Sequence, residues 1–181
     1  MTVSLFPVGV VEAESSKAAQ RSFRDFASRW QPRVRIAGVI ESARPDRGDR
    51  RGAGELHCIG SGAVFRLYHP DLCQDGVCNV DPQGAALASH TVEGEIAAGC
   101  DLVILNKFGK LEAARAGLLS AFVAAIGAEV PVLTYVSPGC RDAWTRFADP
   151  LFCSLEDRAD AIDAWWRAHQ HARSALAAGQ G

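Results

Sequence analysis

The sequence predicts an α/β domain in which a mainly parallel sheet is covered on both faces by helices, a three-layer sandwich. Three observations lead there. Leu102-Val103-Ile104-Leu105 is a short apolar run bounded by Gly99 and Gly109, the pattern of a strand buried on both faces. Other apolar, β-branched runs alternate with segments of helical periodicity, as βαβ units do. One stretch departs from that alternation. Residues 55–59 and 63–68 flank Gly60-Ser61-Gly62 and read as an antiparallel β-hairpin inserted in the parallel pattern.

Taken in order, residues 2–11 suit a first strand, and Pro7 inside it predicts a bulge or a late start because proline donates no ladder hydrogen bond. Glu14-Ser15-Ser16 can cap a helix over 17–30 whose apolar face is Ala19, Phe23, Phe26, Ala27 and Trp30; Pro32 stops it. Residues 34–40 form the second strand, and 41–54, rich in Arg, Asp and Gly, an exposed loop. After the hairpin, 69–80 reads as a loop. Asp81-Pro82 starts a helix that Gly99 ends. The central strand leads into a helix over 112–126, then a strand over 130–136. A short helix over 141–147, a last strand over 151–153 and an amphipathic helix over 156–177 complete the domain. One domain over 1–178 is expected, with 179–181 disordered.

Composition excludes several classes. With 181 residues, 48% hydrophobic and 22% charged, the chain is long enough to bury a sizeable core. A net charge of -2 gives no bulk attraction to nucleic acid or membrane. No apolar run approaches the ~20 residues that span a bilayer, and no signal peptide is evident, so a cytoplasmic protein with reduced cysteines is expected. The charge is uneven: residues 1–66 hold eleven Lys/Arg against seven Asp/Glu. Arg44, Arg47, Arg50 and Arg51, interleaved with Asp46 and Asp49, form either a solvated loop or an anion-binding flap.

Cys78-Asn79-Val80-Asp81, the hairpin, the run from Leu102 to Ala113 (LVILNKFGKLEA) and that from Pro131 to Val136 (PVLTYV) resemble an uncharacterised bacterial family, domain of unknown function 2478. That family is similar to small P-loop nucleoside triphosphatases, which implies a P-loop NTPase-like fold and a ligand site at the strand ends. The motif departs from a working one. A P-loop needs G-x-x-x-x-G-K-[ST] after the first strand. Here Lys17 stands at a helix start, but Ser16 replaces the preceding glycine and Ala18 the following hydroxyl, while Glu12 and Glu14 add negative charge where phosphates would sit. The acid that supports magnesium aligns with Asn106 and the catalytic acid with Lys107. Groups on which phosphoryl transfer depends are missing. The resemblance also carries an association with molybdenum metabolism.

Ligands of open α/β sheets bind beyond the carboxyl ends of the strands. Asn106, Lys107, Gly109 and Lys110 fall there, as do Ser16, Lys17 and Arg141, and together they could bind a nucleotide, with or without magnesium, or a small oxyanion. Lysines in such a turn are equally at home in solvent. Glu112 falls there too and is counted with the ligand-binding residues; it suits a capping carboxylate, an ion-pair partner of Lys107 or Lys110, or a remnant catalytic group. His69, Cys73 and Cys78 are the candidate metal ligands, although zinc signatures carry two close pairs where this loop has one. Trp165 and Trp166 are adjacent and cannot share a helix face, which predicts one in the core and one exposed as a homodimer contact. The leading expectation is a degenerate NTPase-like protein that binds a nucleotide or oxyanion with weak or no hydrolysis. A metal-handling protein and a non-catalytic self-associating module are the alternatives.

Overall fold

The structure, a computed structural model, describes residues 5–43, 54–74, 77–80 and 82–178; the side chains at 43, 68–80, 176 and 177 lie outside that description. The Arg44, Arg47, Arg50 and Arg51 segment, the Asp81 helix cap and residues 179–181 are outside it too.

Among the described residues, nine strands and six helices follow one another as β1 (Val8–Glu12), α1 (Ser16–Trp30), β2 (Ile36–Ala43), β3 (Gly54–Cys58), β4 (Val64–Arg66), β5 (Tyr68–Gln74), β6 (Val77–Val80), α2 (Pro82–Ala97), β7 (Leu102–Phe108), α3 (Lys110–Ala113), α4 (Leu119–Gly127), β8 (Val132–Val136), α5 (Arg141–Ala148), β9 (Phe152–Glu156) and α6 (Ala159–Ala178). Seven strands form one sheet in the order β4-β3-β2-β7-β8-β1-β9. β2, β7, β8, β1 and β9 run parallel, and β3 and β4 extend the β2 edge antiparallel. β5 and β6 pair separately. The architecture is the expected three-layer α/β sandwich with a P-loop NTPase-like fold.

The core divides between the two faces. On one, Phe23, Phe26 and Trp30 of α1 and Ile162, Trp165 and Trp166 of α6 pack on Ile36, Ile40, Leu102, Ile104 and Leu133. On the other, α2, α4 and α5 cover Val39, Val103, Leu105 and Val132, and Phe108, Phe122, Trp144 and Phe147 stack into an aromatic cluster. The central Leu102–Leu105 run is fully buried on both faces, each side chain contributing roughly 1.5–3 kcal/mol relative to exposure. Sheet packing is close enough to require Gly38, with φ +120°, where an added Cβ would lie 1.9 Å from the Ile104 carbonyl oxygen.

β1 begins late, after Pro7, as the missing proline donor predicts. Several other expectations need correction. β2 continues to Ala43, so Glu41 belongs to a strand rather than a loop. Residues 69–80, expected as a loop, carry most of a second antiparallel pair. β7 runs on to Phe108, and its pairing with β8 shifts register between Leu105 and Phe108. Asn106 and Lys107 therefore sit in that irregularity, where side chains are re-aimed. The single helix expected over 112–126 is two. Arg115 and Gly117 take positive φ (63° and 62°) between α3 and α4, and an α-helix cannot pass through such residues. Trp165 and Trp166 are both buried, because α6 packs between α1 and the sheet edge. Among the described residues, no helix is long and apolar enough to cross a membrane.

Candidate functional site

Two adjacent parallel strands part company at their carboxyl ends. β1 leaves into α1 on one face, whereas β8 leaves into a 3₁₀ turn (Pro138–Cys140) and α5 on the other. Divergent exits of this kind open a crevice at the strand ends. Only Ala13, Glu14 and Ser15 separate β1 from α1, and none is a glycine. Ser15 caps the helix, its Oγ accepting from the Ala18 N–H at 3.2 Å. Ser16 and Lys17 form the first turn, as the sequence placed them.

Across the crevice, Arg141 of α5 reaches the last residue of β1. Its Nη1 donates to Glu12 Oε1 at 3.3 Å and its Nη2 to Oε2. Ser154 on β9 donates to the same Oε1 at 2.9 Å. The Arg141 hydrogen bond holds the Glu12 carboxyl below the ordinary carboxylate range, with Ser154 adding to it and partial burial opposing. The pair is open to water, with 55% of the Arg141 side chain and 33% of that of Glu12 exposed.

A second cluster lies two strands away. Gln20 and Asn106 are buried. Gln20 Nε2 donates to the Asn106 carbonyl at 2.7 Å, and its Oε1 accepts from the Glu41 N–H at 3.1 Å. The Asn106 amide donates to Glu41 Oε2 at 3.3 Å. Lys107 Nζ lies 3.5 Å from that same oxygen. Glu41 thus brings a carboxylate from β2 to the position where Asn106 and Lys107 lack one.

Glu112 resolves as a structural carboxylate. Oε2 accepts from the Gly109 N–H and Oε1 from the Leu118 N–H, both at 2.9 Å, and the residue is buried. It caps the Gly109 N–H at the start of α3 and ties down the turn before α4. The Gly109 N–H is thereby occupied. Lys110 is exposed at the start of α3.

The predicted residues accordingly fall on one edge of the sheet but in two groups, Asn106, Lys107, Gly109 and Glu112 in one and Arg141 in the other. The cations Lys107 and Arg141 each face a carboxylate. Gln20 and Glu41 were not singled out beforehand. The rule that found Asn106, a polar residue closing an apolar strand, applies equally to Glu41.

Of the candidate metal ligands, the described backbone pairs Cys73 with Cys78 across β5 and β6. The side chains of His69, Cys73 and Cys78 lie outside the described residues. Among the described residues no group of three metal-ligating side chains gathers. Burial raises the Cys58 thiol to about 11, and raises the Cys100 and Cys153 thiols as well, so these three stay protonated.

Fold and strand-end cluster define the class, a P-loop NTPase-like α/β protein whose first loop, Ala13-Glu14-Ser15, contains no glycine. The family profile described as a protein of unknown function (DUF2478) matches residues 8–165, and the chain belongs to that family. It is also 42% identical over 133 residues to the molybdenum import ATP-binding protein ModC 2 of Bradyrhizobium diazoefficiens. That match covers 74% of this chain but 15% of the relative, so the chain spans only a small part of the relative's length. No solved structure matches significantly.

Proposed function

We propose that this protein binds a nucleotide or a small oxyanion at the carboxyl ends of its parallel strands and turns it over weakly or not at all. The observation that carries the reading is the Arg141 guanidinium set across the crevice between β1 and β8. A guanidinium has five N–H donors; Glu12 takes two, which leaves a charged fork for an incoming anion. Lys107 and Lys110 line the same edge, and Lys17 stands at the start of α1. The likeness to an ATP-binding relative supports a phosphate-bearing ligand. The poor prospect for hydrolysis rests on the three-residue link between β1 and α1, which is short for a phosphate cradle, and on the amide at Asn106.

Thermal-shift titration tests this with ATP and GTP, each with and without magnesium, and with phosphate and molybdate. A ligand that binds only the folded state raises Tm by mass action, by about 2.7 kcal/mol of stability at a hundred times Kd. A rise that disappears in Arg141→Ala and Lys107→Ala is expected. No rise with any of these ligands would sink the reading.

A second reading is supported by the register of the β5–β6 pair. Residues directly opposite on antiparallel strands have Cβ atoms about 4.5–5.5 Å apart, close enough for two thiolates to share a metal ion. Cys73 and Cys78 are opposite in this sense. Metal analysis of the purified protein, with Cys73→Ser and Cys78→Ser as controls, decides it. Substoichiometric metal in the unsubstituted protein would end this reading.

A further inference from the structure

Three donors converge on one side chain in the crevice. Arg141 Nη1 and Ser154 Oγ both point at Glu12 Oε1, and Arg141 Nη2 points at Oε2. The donors come from α5 and β9, the acceptor from β1, so 129 residues separate Arg141 from Glu12 and 142 separate Ser154 from it. A carboxylate held in this way has the charge and oxygen spacing of a bound anion. From its position at a divergent strand exit and its exposure to water, we infer that the Arg141–Ser154 pair is an oxyanion cradle which Glu12 occupies as an internal competitor. An external phosphate-like or carboxylate anion binds there by displacing Glu12.

Three features favour this over a purely structural ion pair. The pair is partly exposed, so it is worth little to the fold, and its opening demands no unfolding. Arg141 has three donors beyond the two given to Glu12, enough for a ligand to engage before Glu12 leaves. Glu12 is the last residue of β1, followed by a three-residue link, so its side chain can swing towards solvent without disturbing the ladder to β9. The carboxylate at position 12 also explains the first loop. It supplies in cis the negative charge that a conventional phosphate loop leaves to its ligand.

This inference rests on the proposed anion site, and the experiment separates the two. Affinities for orthophosphate, molybdate and acetate are measured by calorimetry for the unsubstituted protein, Glu12→Gln, Glu12→Gln/Ser154→Ala and Glu12→Gln/Arg141→Gln. Each protein is first shown to unfold cooperatively. Glu12→Gln removes the competing charge and keeps the shape. It is expected to bind orthophosphate about tenfold more tightly, equivalent to about 1.4 kcal/mol. Loss of Ser154 should return about threefold of that gain, and loss of Arg141 all of it. Tighter binding of acetate than of orthophosphate by Glu12→Gln would assign the cradle to carboxylates, and the reverse order to tetrahedral oxyanions; either order upholds the inference. Should Glu12→Gln fail to fold, Glu12→Thr makes the same test with a residue suited to a strand end. Equal or weaker binding by Glu12→Gln, or a gain that survives Arg141→Gln, overturns the inference. If the unsubstituted protein binds an anion and loses it in Arg141→Ala and Lys107→Ala while Glu12→Gln brings no gain, the anion site stands and only the cradle with Glu12 as competitor falls. If no protein in the series binds any anion, both fall.

Discussion

Glu12 and Glu112 are both carboxylates at the carboxyl edge of the same sheet, yet they do opposite things. Glu112 is buried and accepts from two main-chain N–H groups that no water can reach. Glu12 is a third exposed and accepts from two side chains that could turn elsewhere. Removing the first leaves buried donors without an acceptor; removing the second leaves groups that water can solvate. Burial of the partners, more than the number of hydrogen bonds, separates a structural carboxylate from an exchangeable one.

The contrast can be broken most forcefully at Glu112. Glu112→Ala strands the Gly109 and Leu118 N–H groups and is expected to cost about 3 kcal/mol, a Tm drop of roughly 6–12 °C for a chain of this size. Calorimetric unfolding reads it, and an unchanged Tm would erase the distinction. Gly117→Ala attacks the same lock from the other side. Its φ is +62° and an added Cβ would lie 2.3 Å from Glu112 Oε1, so a loss of about 2 kcal/mol in denaturant titration is expected.

Asn106→Asp sharpens the comparison by creating an intermediate case. It replaces the amide donor 3.3 Å from Glu41 Oε2 with a second carboxylate. Like charges this close push one pKa upward, so a destabilisation of roughly 1–2 kcal/mol at neutral pH should fade as the pH falls and one acid protonates. Stability curves at two pH values check it; a loss that is independent of pH would implicate packing instead.

Glu12→Gln should show the smallest effect, under ~1 kcal/mol, because the ion pair is solvent-screened. The sign of its pH dependence is fixed. The folded pKa of Glu12 lies below its unfolded value. Its contribution is therefore present above about 4.3, the ordinary glutamate value, and disappears as the pH falls through the folded one. Unsubstituted protein and variant should converge in acid, and divergence there would contradict the assignment.

Most of the architecture was legible from local pattern. The Leu102–Leu105 run, the α1 face of Phe23, Phe26 and Trp30, and the late start after Pro7 all follow from side-chain periodicity or from proline's missing donor. The candidate site was half legible. Asn106, Lys107 and Arg141 were found because a polar residue at the end of an apolar strand, or at a helix start after one, is conspicuous. Glu41 was hidden by the Arg/Gly-rich segment that follows it, which made the strand seem to end early. The α3–α4 break was missed because Arg115 carries no signal for positive φ, and Trp165 and Trp166 were misjudged because a two-sided docking site for α6 cannot be seen in its own period.

The sequence by itself determined the layers. Runs of apolar residues with period two or 3.6 must bury a face, and alternation of the two leaves a covered parallel sheet as the compact solution. Only the tertiary structure decided which charges meet. Parallel crossovers carry each strand end past a helix before the chain returns, so Glu12 meets Arg141 and Glu41 meets Lys107 across separations of 129 and 66 residues. No local pattern encodes those pairings, because they depend on strand order and on which face each helix covers.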